Sequence, residues 1–91
     1  MNILIRTTPE KLAHKMSIGE YYWTLSGQPK QMTIEDEENA KVMFTDGKNV
    51  FAEYRYLGWS DFEHGIVFDK FRRVNYPQPK VAPTRGFTYV E

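Results

Sequence analysis

Apolar and polar side chains alternate through two runs, Val42-Met43-Phe44 and Val50-Phe51-Ala52-Glu53-Tyr54-Arg55-Tyr56, on either side of Asp46-Gly47. Period-two alternation about an Asp-Gly step predicts a β-hairpin. A three-residue loop, Thr45 to Gly47 with Gly47 left-handed, sets Val42 and Phe44 on the same face as Val50, Ala52, Tyr54 and Tyr56. A two-residue loop sets them beside Glu53 and Arg55 instead, because a slip of one residue exchanges the two faces. The apolar match selects the odd loop.

Outward from this hairpin, Asn2 to Arg6 carries Ile3, Leu4 and Ile5 and reads as a short first strand that Thr7-Thr8-Pro9 stops. Thr8 suits an N-cap, Pro9 the first helical position and Glu10 the positive helix end, while Leu12 and Met16 share a face, so a helix follows and ends by Gly19. Glu20 to Leu25 reads as an aromatic strand broken by Ser26-Gly27-Gln28-Pro29. Gln31 to Ala40, with its acidic run, admits a helical turn but reads more readily as a solvated loop into the hairpin. Leu57 to Asp61 reads as a turn, Ile66 to Val74 as a fifth strand, and Phe87 to Val90 as a last one. Between these last two, three prolines in Tyr76 to Pro83 bar an interior strand and predict a surface path. The fold class expected is α+β: a small, partly open, mostly antiparallel β-barrel of about six strands with one N-terminal helix, residues 1–91 forming a single domain.

Composition narrows the chemistry. Ninety-one residues carry six Tyr, six Phe and two Trp, so the core is aromatic, with rings to spare for a ligand. The absence of Cys removes disulfides, thiolate zinc sites and cysteine nucleophiles, and fits a reducing compartment. His14 and His64 have no ligand spacing, and no metal or cofactor is expected. No apolar run approaches a membrane span, so a cytoplasmic location and no membrane partner are expected. Net charge is zero. Its distribution is uneven: acids dominate from Ile34 to Asp69, whereas Lys70, Arg72, Arg73, Lys80 and Arg85 are the only charges from Lys70 to Val90. Such a basic strip can meet a polyanion locally.

Three blocks carry a likeness. Gly19-Glu20-Tyr21-Tyr22-Trp23-Thr24-Leu25-Ser26 follows a helix; an acidic approach enters Lys41-Val42-Met43-Phe44, a glycine turn and Val50 to Tyr54; and Phe71-Arg72-Arg73-Val74 closes on Thr84 to Val90. In pattern and element order the chain resembles the PUA-like superfamily of small barrels, which includes the ASCH and EVE domains. The resemblance implies a cleft, between the strand of Trp23 and the loops after the hairpin, that accepts a nucleobase or nucleoside. Trp23, Tyr56 and Trp59 would stack on the base, Thr24, Ser26 and Lys30 would read its edge, and Arg72, Arg73 and Arg85 would hold phosphates. Bland readings stand beside these: Trp23 in the barrel interior, Trp59 capping its mouth, and Arg72 and Arg73 as surface cations pointing to opposite faces.

The resulting expectation is a non-catalytic recognition module for nucleic acid or a modified base. One alternative is a small protein-binding inhibitor or adaptor, for instance phage-encoded, that uses the acids from Glu35 to Glu38. Another, less favoured, is an ASCH-type nucleoside amidohydrolase working through Lys30, Thr33 and Glu53 or Glu35. The last needs a buried lysine of lowered pKa. Here the Gly-x-Lys-Thr core of ASCH enzymes is replaced by Gly27-Gln28-Pro29-Lys30, beside a solvated acidic run.

Overall fold

The computed structural model describes residues 1–80 and 86–91. Its elements are β1 (Asn2–Arg6), α1 (Pro9–Ser17), β2 (Tyr22–Thr24), α2 (Ile34–Asn39), β3 (Lys41–Thr45), β4 (Asn49–Ser60), β5 (Gly65–Pro77) and β6 (Thr88–Val90). The six strands form one curled sheet, a half-barrel in the order β2-β5-β4-β3-β1-β6. The sheet is mixed, unlike the mostly antiparallel barrel expected. β1 runs parallel to β3, with Ile3 opposite Val42 and Ile5 opposite Phe44, because the chain from Thr7 to Ala40 supplies the long crossover that parallel neighbours require. The other pairings are antiparallel.

The first helix forms as its sequence dictates. Thr8 caps it by accepting from the Lys11 amide, and Pro9 occupies the first turn. It stops at Gly19, whose φ of 75° lets the Gly19 and Glu20 amides double back to the Met16 and Lys15 carbonyls. A second, short helix, α2, stands where a solvated loop was favoured over a helical turn. Thr33 and Asp36 form a reciprocal capping box, each side chain accepting the other's backbone N–H, and Glu35, Asp36 and Glu37 lie at the positive helix end. The Met1 ammonium adds an ion pair to Asp36 at 3.0 Å. These bonds hold the Asp36 carboxyl below its ordinary value, the ammonium contributing most.

The hairpin keeps the expected parity by a different route. Val42 faces Tyr54 and Phe44 faces Ala52, but the connection is Asp46 to Lys48, and a bulge between Val50 and Ala52 takes up one residue. Val50 is thereby moved off the Ala52 face and packs with Leu4, Met43 and Val90 on the other side. Asp46 closes the turn by accepting from the Lys48 and Asn49 amides. Leu57 to Ser60 is strand rather than turn: a second bulge, at Leu57 with Gly58 at φ 139°, lets β4 run on to Ser60 and places the turn at Asp61 to His64. Tyr76 and Pro77 likewise end β5 before the chain leaves the sheet, at an edge where proline is tolerated.

The concave face holds the main core. Ile3, Ile5, Val42, Phe44, Ile66 and Phe68 are fully buried there, and α1 lays Leu12 and Met16 over them. Phe44 makes edge-on contacts with Trp23, Tyr54 and Phe68 at 5.1 to 5.6 Å between ring centres. Rings thus supply the thickness that a small half-barrel needs.

Candidate functional site

Register places the two tryptophans on one row. Trp23 of β2 and Trp59 of β4 both pair with Ile66 of β5, which lies between them. Side chains directly opposite across strands share a face, and both indoles pack against the concave core, so the row runs indole, buried Ile66, indole. Two inter-strand steps separate the tryptophan backbones by about 10 Å. Both indoles are half-buried. Each is held: Trp23 by Phe44 at 61° between planes, Trp59 by donating its Nε1–H to Asp61 at 3.0 Å and by an edge contact with His64. The Lys15 ammonium, paired with Glu20 at 3.2 Å, lies 4.3 Å from the centre of the Tyr22 ring and 5.4 Å from that of Trp23.

The remaining expected residues spread over the fold. Thr24 is exposed beside Trp23 and donates to the Glu63 carbonyl; Ser26 and Lys30 are exposed on the loop that follows. Tyr56 is buried in the core, and burial raises its pKa, so its ring is packing rather than a stacking surface. Arg72 and Arg73 are exposed on β5, opposite Glu53 and Ala52 respectively, and so point to opposite faces. They lie six and seven residues past Ile66, about 20 Å along the strand, which separates them from the tryptophan row. Arg85 lies outside the described residues.

Lys30, Thr33 and Glu53 have separate tasks. Thr33 caps α2, Lys30 sits on an exposed loop, and Glu53 is enclosed on the convex face, where it accepts from the Tyr76 hydroxyl at 2.5 Å and pairs with Lys41 at 3.6 Å. Burial first, and the Glu53 carboxylate second, raise the Tyr76 pKa. Glu35 is exposed on α2. Among the described residues no group of three or more His, Asp or Glu is placed to hold a metal ion. No helix among them is long and apolar enough to cross a membrane.

The convex face carries a second feature, a groove of about 290 Å³ between the end of α2 and strands β3 to β5, lined by both signs of charge: Glu38 and Glu53, and Lys41, Arg55, Lys70 and Arg72. Arg55 grips Asp69 through two hydrogen bonds of 2.9 and 2.7 Å, which lower the Asp69 pKa and raise that of Arg55. Lys70 and Arg72 have no ion pair among the described residues. Lys70 sits at φ 55°, in a bulge where three steps of β5, Asp69 to Arg72, face two of β4.

Ile66, Lys15 and Tyr21 escaped the reading of the residues as site members. The Tyr22–Val67 pairing extends to Tyr21, whose carbonyl accepts from the Phe68 amide, so Tyr21 joins the concave face beside Tyr54. No single stretch of sequence signals that juxtaposition; it exists only once β2, β4 and β5 are in register. The chain matches no protein-family model, no curated protein and no solved structure.

Proposed function

We propose that the domain is a non-catalytic recognition module for nucleic acid that captures an unstacked or modified base against the accessible parts of the Trp23 and Trp59 indoles. The observation that carries this reading is the row itself: two half-buried indoles, each fixed by its own partner, flanking a fully buried isoleucine on one face. A base drawn from its strand needs an apolar seat for its ring and polar groups at its edge. The accessible parts of the two indoles give the first, and the Lys15 ammonium beside Trp23 the second. The PUA-like likeness in element order supports the same reading. The rows of strands hold the indoles in place without ligand, so little ordering cost falls on binding.

Titration of fluorescently labelled single-stranded RNA and DNA, unmodified and carrying modified bases, tests this. Wild-type protein is expected to bind at least one of them with affinity falling as salt rises, and Trp59→Ala to weaken binding about tenfold, as expected for loss of one stacked base. Circular dichroism checks that the variant remains folded. Absence of binding across the panel, or equal binding by Trp23→Ala and Trp59→Ala variants and wild type, contradicts the proposal.

A further inference from the structure

The aromatic row leaves the basic half of the molecule without a role. β5 is 13 residues long, yet its partner on the outer side, β2, pairs only with Gly65, Ile66 and Val67, and the Tyr21 carbonyl adds one bond at Phe68. Beyond that point, among the described residues, β5 is bonded to β4 alone. Between Phe71 and Tyr76, among the described residues, the backbone N–H and C=O groups that point away from β4 form a free sheet edge, bounded by the Lys70 bulge and bent by a register shift between Arg73 and Tyr76.

Side chains along this edge state what it accepts. On the convex side Lys70 and Arg72 border a groove whose other cations, Lys41 and Arg55, are paired with Glu53 and Asp69, and which Glu38 also lines, so Lys70 and Arg72 are the cations there without an ion pair among the described residues. On the concave side Phe71 is 55 % exposed with its ring 5.5 Å from that of Tyr54, and Arg73 follows it. From Lys70 to Tyr76 there is no acid. A second copy of this chain is the wrong occupant: two-fold antiparallel pairing about Arg72 and Arg73 sets guanidinium against guanidinium, which destabilises the pair. An incoming strand whose acidic side chains alternate with apolar ones places the acids over Lys70 and Arg72 and the apolar groups on Phe71.

We infer that the free edge of β5 from Phe71 to Tyr76 is a docking site for an extended acidic peptide segment, which adds to the sheet as an antiparallel or parallel seventh strand. This site is separate from the tryptophan row and does not depend on it.

The test uses the full chain and a capped, fluorescein-labelled octapeptide of alternating glutamate and valine, followed by fluorescence anisotropy. Saturable binding is expected, weakened at least tenfold in the double variant Arg72→Glu, Arg73→Glu and unchanged in Trp59→Ala. N-methylation of alternate peptide amides, which keeps the charge but removes backbone donors, is expected to abolish binding in one of its two phases. Equal affinity for both N-methylated phases and the parent peptide means charge attraction without strand addition and overturns the inference. So does binding that ignores the arginine reversals, or displacement of the peptide by an equimolar single-stranded oligonucleotide. Amide exchange of both proteins confirms that the double variant is folded; if it is not, Lys70→Glu alone replaces it, with the same tenfold criterion.

Discussion

Tyr54 is the residue most at odds with its surroundings. Its hydroxyl is buried without a hydrogen-bond partner among the described residues, and burial pushes its pKa up to about 12. Leaving such a group unpaired costs about 1–3 kcal/mol, whereas its ring is held by Phe44, Phe68 and Phe71. Tyr54→Phe keeps the ring contacts and is expected to stabilise the domain by about 1 kcal/mol, read as a higher midpoint in urea with unchanged slope. A loss of stability would mean that the hydroxyl is satisfied in solution. Phe44→Ala is expected to have the opposite effect, costing about 3–5 kcal/mol, because Phe44 is fully buried at the centre of the ring cluster. Aromatic abundance announced this core in the sequence, and Tyr56 shows the limit of that signal: composition counts rings but does not say which are spare.

At the level of elements, the hairpin was legible in parity and illegible in detail. Alternation required Phe44 and Ala52 to share a face, and they do; the bulge at Phe51 that moves Val50 across the sheet, and the one at Leu57 that extends β4, leave no mark in a period-two pattern. Gly58 read as a turn because glycine marks both turns and bulges. The cap of α2 was written plainly in Thr33 and Asp36, but the acids around it read equally well as a solvated loop. The Asp46 turn gives a pH prediction. Hydrogen bonds from the Asn49 and Lys48 amides hold its pKa below the ordinary 3.8, so the unfolded chain takes up its proton first as pH falls. The stabilisation is therefore full above about pH 3.8 and is lost as pH drops through the lower folded value. Asp46→Asn is expected to be less stable than wild type at neutral pH, with the gap closing below that point in parallel urea titrations. A gap that stays constant to low pH would show that the charge contributes nothing.

Over the whole molecule, the cations of β5 guard an open edge as well as offering one. Replacing Arg72 and Arg73 with valine removes the like-charge clash and leaves a β-favouring run from Phe71 to Val74. The double variant is expected to form dimers or larger species in light scattering at concentrations where wild type does not; the same oligomeric state for both would show that these arginines do not control pairing. The two halves of the site expected from the sequence, aromatic and basic, are set about 20 Å apart by strand length alone. That separation was out of reach of the residue pattern, since it depends on which strands neighbour β5 and how far each extends.

Amide and indole NMR shifts, recorded with a base-bearing oligonucleotide and then with the acidic octapeptide, measure this division most directly. Shifts are expected at the Trp23 and Trp59 indoles and the Ile66 amide for the first ligand, and at amides from Lys70 to Tyr76 for the second. Both ligands moving one common set of resonances, or neither tryptophan responding to any base, would contradict that division.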